Sequence, residues 1–388
     1  MASVYIHFPW CLAKCPYCDF VSYAAPREEI DHCGYADAVI AELDARALAW
    51  GTPAGNVKTI FFGGGTPSLW SAAELGRVLA RTKEIFGCAP GVEVTVECNP
   101  TSLDEAKARA LLDVGVNRLS IGTQSLREEQ LKFLGRLHDP GGALAAIDGA
   151  KAAGVSRIST DLIFGLAGQP PQDAADQAIF LADRGMSHLS CYQLTIEAGT
   201  QFGELAKRGR LPLADDGLVA ESFLAIDEAL SARGFRHYEI SNYAMPGEEA
   251  RHNLGYWRGE QYLGLGCGAF GQIGRTRYRN AIDPKKYLAA AKSVRSDMVG
   301  QGDGLSMSSE ALSGEMLLRE RIMLGLRLAG GFDLEASATE LGALAWPKDR
   351  EQAARKLIDG GRLVRESGRV FIPKPAWLWT DDIAARLF

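Results

Sequence analysis

The sequence predicts an α/β protein: a partial TIM-type barrel followed by a smaller, mostly helical unit. Three observations carry this. Six short apolar strands alternate with helical stretches up to about residue 235, the cadence of a parallel sheet with crossover helices. Polar residues gather where those strands end, as in barrels whose chemistry sits at the C-terminal rim. Beyond Ser306 the chain turns helical and finishes in a hairpin. A doubly wound open sheet is the alternative arrangement of the same elements.

In chain order, Val4, Ile6 and Phe8 alternate with Tyr5 and His7 as a short strand would. Residues 28–49 are rich in Ala, Leu and Glu and read as a helix stopping near Gly51. Thr59–Phe62 is a strand running into Gly63-Gly64-Gly65-Thr66-Pro67-Ser68. A helix over 72–86 follows, with Ser71 as N-cap. Strands at 92–96, 118–122, 157–164 and 188–194 alternate with helices near 103–114, 128–134, 142–153, 173–184 and 218–233. From His237 the texture changes, and the glycine- and aromatic-rich stretch 256–274 reads as irregular, with short strands closing the barrel edge. Helices near 310–328, 334–341 and 351–357, a hairpin around Glu366-Ser367-Gly368 and a last turn at 383–388 resemble a winged-helix module. The expected units are therefore a core at 1–235, a barrel-closing segment at 236–305 and a C-terminal unit at 306–388.

Composition limits the function classes. The 388 residues are 23% charged and 47% hydrophobic, ordinary globular values that argue against disorder. A net charge of −6 leaves no broad basic field for nucleic acid. Arg362, Arg365 and Arg369 are interspersed with Asp359 and Glu366 and read as a solvated face. No apolar run approaches the ~20 residues of a spanning helix, and no secretory leader pattern precedes Cys11. A cytoplasmic location is expected. There the eight cysteines read as thiols, ligands or core residues rather than disulfides.

Three of those cysteines lie in eight residues: Cys11, Cys15 and Cys18, spaced C-x3-C-x2-C directly after the first strand. Three thiolates satisfy three corners of an iron–sulfur cubane and leave one iron open. Structural zinc, recruiting His7, His32 or Cys33 as a fourth ligand, is the other reading.

With the aromatic Tyr17 just before its last cysteine, the motif resembles that of the radical S-adenosylmethionine (SAM) superfamily. The resemblance implies a 4Fe-4S cluster whose open iron is chelated by the amino and carboxylate groups of SAM, which the cluster cleaves to a 5′-deoxyadenosyl radical. Gly63, Gly64, Gly65 and Thr66 end the next strand, where backbone without side chains can approach the methionine moiety. Glu97, Gln124, Arg136 and Asp161 match the SAM-binding positions of the coproporphyrinogen dehydrogenase-like branch, and Tyr5 completes that pocket. The resemblance implies Glu97 for the ammonium, Arg136 for the carboxylate, and Gln124 and Asp161 for the adenine and ribose.

Within the branch the chain resembles the HemW-type heme chaperones. Cys18 is followed by Asp19-Phe20, where the true dehydrogenase carries a further cysteine, and the dehydrogenase's N-terminal extension is absent. Arg251-His252-Asn253-Leu254-Gly255-Tyr256-Trp257 matches the H-N-x-x-Y-W motif of the chaperones. The resemblance implies heme as a carried ligand; by its own chemistry the segment offers His252 to the iron and Tyr256 and Trp257 to the porphyrin face, the alternative being that His252 caps or braces the loop closing the barrel. It further implies heme-acceptor proteins such as respiratory enzymes, peripheral membrane association through such an acceptor, and an electron donor such as flavodoxin or ferredoxin. A homodimer and a C-terminal unit covering the site opening belong to the same expectation. A radical SAM enzyme, coproporphyrinogen oxidase-like or a methyltransferase or cyclopropanase, is the alternative.

Overall fold

The computed structural model describes residues 3–50, 56–294, 296 and 304–388. Six parallel strands form its centre: β1 (Ser3–Phe8), β4 (Val57–Gly64), β5 (Cys88–Cys98), β6 (Arg118–Gln124), β7 (Ile158–Phe164) and β8 (His188–Gln193). The short strands β2 (Trp10–Cys11) and β3 (Tyr23–Ala24) pair with each other in parallel across the cysteine loop. The six strands lie in sequence order with no reversal, the topology of a barrel wall rather than a doubly wound sheet. The crossovers are α1 (His32–Trp50), α2 (Ala72–Phe86), α3 (Glu105–Asp113), the pair α4 (Glu128–Phe133) and α5 (Pro140–Ala152), and α6 (Pro171–Asp183). Gly51, expected to end α1, lies outside the described residues.

Strand alternation decides which face is core. Val94, Val96, Leu119, Ile121, Ile158 and Leu189 point outward into the layer under the helices and are buried there. Their neighbours Thr95, Glu97, Arg118, Ser120, Ser159, Asp161, His188 and Ser190 point inward and line a cavity. The barrel interior is therefore polar and open, and the apolar core is the sheet–helix layer.

The wall stays open. After α7 (Gln201–Lys207) and α8 (Asp216–Ser231), the hairpin β9 (Arg236–Glu239) and β10 (Asn242–Ala244) caps one edge beside β8. The stretch read as irregular begins instead with a two-turn helix, α9 (Arg251–Trp257), and continues into β11 (Tyr262–Leu265), which pairs in parallel with β1. β12 (Phe270–Ile273), β13 (Thr276–Asn280) and β14 (Ser306–Ala311) then extend the sheet antiparallel, flanked by α10 (Pro284–Ala291). The segment thus prolongs one edge of the wall and does not close it. β14 also occupies the start of the helix expected from 310; Ser313 caps the helix that follows, its hydroxyl accepting from the Met316 amide at 3.2 Å.

The C-terminal elements are α11 (Gly314–Gly325), β15 (Phe332–Asp333), α12 (Leu334–Leu341), α13 (Lys348–Asp359), β16 (Val364–Glu366), β17 (Arg369–Phe371) and α14 (Thr380–Arg386). Their order and the small β15–β17–β16 sheet are those of a winged helix built round its own core, which includes Leu318, Ile322, Leu334, Leu363 and Ile383. Arg365 bonds Glu335 and Glu351 and lies over Trp346, Arg362 stacks on Trp379, and Arg369 donates to the Gly330 carbonyl. Each of the three arginines is committed within its own unit. The unit docks on the β9 edge, with Ile240 N donating to Arg327 O and Ala329 N to Tyr238 O. No described helix is long and apolar enough to cross a membrane.

One buried ion pair joins the sheet extension to α1. Glu42 accepts from Arg46 at 2.7 Å, both side chains fully buried, and also from Asn280, Tyr287 and the Gly266 amide. Removing one member of a buried pair leaves its partner's charge unpaired and typically costs ~3–5 kcal/mol. Glu42→Ala is expected to lower unfolding free energy by about that amount in urea titrations, with β11–β13 loosening first in hydrogen exchange.

Candidate active site

The cysteine loop is clamped from both sides. Gly65 N donates to Phe8 O and Thr66 N to Trp10 O, holding the glycine strand end against the loop's start. A Cβ on Gly65 would lie 2.7 Å from the Trp10 carbonyl oxygen, and one on Gly64, where φ is +109°, would enter the His7 ring. On the other side a Cβ on Gly135, at φ +65°, would lie 2.5 Å from Pro16 Cδ, so the turn carrying Arg136 packs directly on the loop. The unforeseen helix α7 completes the clamp: Phe202 N donates to Pro16 O, and its ring meets Tyr17.

Each thiol has a polar neighbour. Thr66 Oγ1 donates to Cys11 Sγ at 3.3 Å, Arg136 Nη1 to Cys15 Sγ at 3.5 Å, and Ser22 Oγ lies 4.0 Å from Cys18 Sγ. Donors aimed at sulfur suit thiolates bound to metal. Among the described residues no three His, Cys, Asp or Glu side chains converge on a single ion. The residues offered as a fourth zinc ligand are committed elsewhere. His7 uses Nδ1 with Tyr5 and Nε2 with Val21 O; His32 Nδ1 accepts from Ser71 N; Cys33 sits beside Arg77 and Asp37. The donor set fits a cubane, which takes one thiolate per iron, better than a zinc ion.

The three thiols open onto a cavity of about 460 Å³ whose walls include Gly64, Gly65, Thr66, Glu97, Gln124, Arg136 and Asp161. The sequence-derived candidates therefore converge, apart from five. Gly63 is packed behind the wall, where a Cβ would meet Phe61, Tyr5 and Glu97 at about 3 Å. Tyr5, His252 and Tyr256 line a second, inner cavity of about 510 Å³. The two cavities share Gly64, Glu97, Ser120, Asp161, Tyr192, Asp19 and Phe20, so they adjoin across a waist formed by these residues. Trp257 lines neither.

The electrostatics centre on two carboxylates. Burial, the neighbouring Asp161 charge and little else push the Glu97 carboxyl up to about 8, against one stabilising bond from Gly64 N at 3.0 Å. Burial raises Asp161 to about 6, opposed by the Ser190 and Ser120 hydroxyls. Arg136 donates to Gly122 O at 3.0 Å and to Cys15, while its buried Nε has no partner among the described residues. Gln124 takes a left-handed backbone, φ 64°, and a Cβ on Gly122 would meet its side chain at 2.8 Å. Gly122, Ser120, Ser190 and Tyr192 were missed in the sequence; inward alternation along β6 and β8 was the signal that could have found them.

His252 is hydrogen-bonded through both ring nitrogens. Its Nδ1 bonds Thr59 Oγ1 at 2.8 Å and its Nε2 bonds Tyr256 Oη at 3.1 Å. Thr59 donates onward to Ser3, so Nδ1 carries the proton and Nε2 accepts from tyrosine. The ring stacks on Phe61, and burial lowers its pKa to about 3. In this arrangement both nitrogens are engaged and the imidazole braces the inner cavity. Its backbone is held too, His252 N donating to the buried Glu93, which also pairs with Arg157 at 3.0 Å and lies 3.5 Å from Arg118. Among the described residues none after Arg279 lines either cavity, and the C-terminal unit is bonded along the β9 edge.

An open (β/α)6 wall presenting a three-cysteine loop, a glycine strand end and strand-end polar groups to one cavity is the architecture of a radical SAM protein. Residues 5–180 match the radical SAM superfamily model, and 312–379 match the HemN C-terminal domain. The crystal structure of coproporphyrinogen III oxidase (HemN) from Escherichia coli superposes over 100% of this chain and 89% of its own, with TM-score 0.81 at 19% identity, which shows a shared fold. In sequence the chain is 36% identical over 359 residues to the heme chaperone HemW of Mycobacterium tuberculosis H37Rv, 92% of this chain and 87% of that protein. It is 40% identical over 304 residues to HemW of Escherichia coli K12, 75% and 78% of the two chains. The chain belongs to the HemW heme chaperone family.

The raised Glu97 has a stability consequence. Its folded pKa lies above the ordinary carboxylate value, so stability is full below about 4.5 and is lost as pH rises through about 8. Glu97→Gln removes that titration. The cofactor-free variant is expected to gain little melting temperature over wild type at pH 5 and several degrees at pH 8; equal gains at both would contradict the assignment.

Proposed function

We propose that this chain is a heme carrier with a retained radical SAM core, taking up heme and passing it to a heme-requiring acceptor protein. Family membership supports the carrier. One observation carries the core: three thiols, a glycine strand end, an arginine with a free buried Nε and two weakly compensated carboxylates meet in a single cavity.

In this reading Cys11, Cys15 and Cys18 hold three irons of a 4Fe-4S cluster. Glu97 receives the SAM ammonium, which gives its unfavourable position a counter-charge. Arg136 turns its unpartnered Nε toward the SAM carboxylate while its other nitrogens hold Cys15 and Gly122. Asp161, oriented by Ser120, accepts from ribose hydroxyls, and Gln124 meets the ribose or adenine edge. Gly64, Gly65 and Thr66 lie along the methionine chain, and Gly63 lets Tyr5 and Glu97 pack behind it. When bound, the cluster and SAM supply one-electron chemistry, fed by a donor of the flavodoxin or ferredoxin type. The protein's own residues bind, orient and, at Glu97, exchange a proton.

The waist joining the cavities favours a second reading, a radical enzyme acting on a porphyrin in the inner cavity. Anaerobic incubation of reconstituted protein with SAM and dithionite, in parallel with hemin and with coproporphyrinogen III, separates the two. Stoichiometric heme uptake without a decarboxylated product supports the carrier; turnover to protoporphyrinogen supports the enzyme.

Two measurements test the residue roles. Glu97 holds a proton at pH 7, so SAM binding is expected to release it, giving calorimetric enthalpies that depend on buffer ionisation. Glu97→Gln should abolish that dependence and weaken SAM binding roughly tenfold or more, the cost of a charge-assisted hydrogen bond. His252→Ala is expected to lower the melting temperature and leave the Soret band of bound hemin in place; a shifted band would restore His252 as ligand.

A further inference from the structure

A cavity larger than these two lies away from the cysteines. A cleft of about 890 Å³ separates β9 and α9 from the docked C-terminal unit, in the upper part of the ~300–1,000 Å³ range of ligand sites. We infer that this interdomain cleft seats the carried heme, gripping its two propionates with Arg236 and Arg258 and covering the macrocycle with Trp257. The inference rests on the carrier reading and adds a place to it.

Arg236 and Arg258 line the cleft, are exposed, and have no hydrogen-bond or ion-pair partner among the described residues. Most other guanidinium groups among the described residues hold acids or carbonyls, so two idle ones at one cleft mark a site for anions. Arg369, also lining it, donates only to the Gly330 and Gly331 carbonyls and faces no acid within bonding distance. The other cleft charges are compensated or weak competitors: Arg321 is held by Glu340, Asp333 caps α12 through Ala336 N, and Glu249 stands alone.

Trp257 supplies the independent observation. Its indole Nε1 is buried with no acceptor among the described residues, a donor that a ligand oxygen would satisfy. Its ring presents flat apolar surface, with Arg327 on it 5.5 Å from the ring centroid. The H-N-x-x-Y-W helix is thereby divided in use. His252 and Tyr256 turn toward the inner cavity and Trp257 toward the cleft. The barrel interior also carries aromatic rings, Phe61 and Phe270 among them, but its Arg118 is bound to Ser159 and faces Glu93, whereas the cleft sets a flat indole beside two unpartnered guanidinium groups, the match for a flat dianion with an apolar body. Neither His237 nor Tyr238 in the cleft has a free ligating atom: His237 bonds Asp227 and Ile240 O, and Tyr238 bonds His188 and Ala250 N. Recognition is through propionates and stacking, not through iron.

The test titrates anaerobically reconstituted full-length protein with hemin and with iron-free protoporphyrin IX. Wild type is expected to bind both with similar affinity. R236A/R258A should weaken each at least tenfold, for the loss of two charge-assisted contacts, while the SAM-induced change in the cluster's EPR signal persists. W257A should weaken both without altering the EPR response. Unimpaired hemin uptake by R236A/R258A, or uptake that fails for the iron-free ring, overturns the cleft assignment and leaves the carrier standing. Wild type that takes up no hemin overturns the carrier reading itself, and the cleft with it.

Discussion

Holding three thiols of one short loop toward a common space is the constraint on which the rest depends. Eight residues with two prolines nearby have no secondary structure of their own to fix them. Order comes instead from neighbours: the glycine strand end through Gly65 and Thr66, the turn at Gly135-Arg136, and α7 through Phe202. Two of these approaches exclude a Cβ, which is why glycine stands at positions that would otherwise cost backbone entropy. Thr66 and Arg136 then serve twice, as part of the clamp and as donors to sulfur.

Buried acids in this protein fall into two kinds, and the contrast separates structure from site. Glu42 and Glu93 are saturated with guanidinium, amide and hydroxyl donors and tie distant segments together. Glu97 and Asp161 sit at the waist of the cavities with only weak compensation, so their carboxyls are driven upward. Unfavourable charge placement of that sort persists where a ligand completes it.

The H-N-x-x-Y-W segment shows how helix geometry sets the partners of a motif's side chains. Histidine followed four residues later by tyrosine was open to a metal-ligand reading because imidazole and iron commonly meet. On a helix, however, the i and i+4 side chains lie on one face, so Tyr256 reaches His252 Nε2 directly. Thr59, far away in sequence, takes the other nitrogen.

The six-strand cadence, α2 to the residue, the winged-helix order and the convergence of Cys11–Cys18 with Glu97, Gln124, Arg136 and Asp161 were legible in the sequence. Apolar alternation, caps and strand-end polarity are local signals. Tertiary structure alone decided that β11–β14 extend an open wall, that the tail bonds along the β9 edge, that His252 meets Thr59 and Tyr256, and that Trp257 faces a cleft. Those outcomes depend on pairing between residues far apart in the chain, such as Leu263 with Val4 and Ile240 with Arg327, and no local pattern encodes which edge is left free to pair.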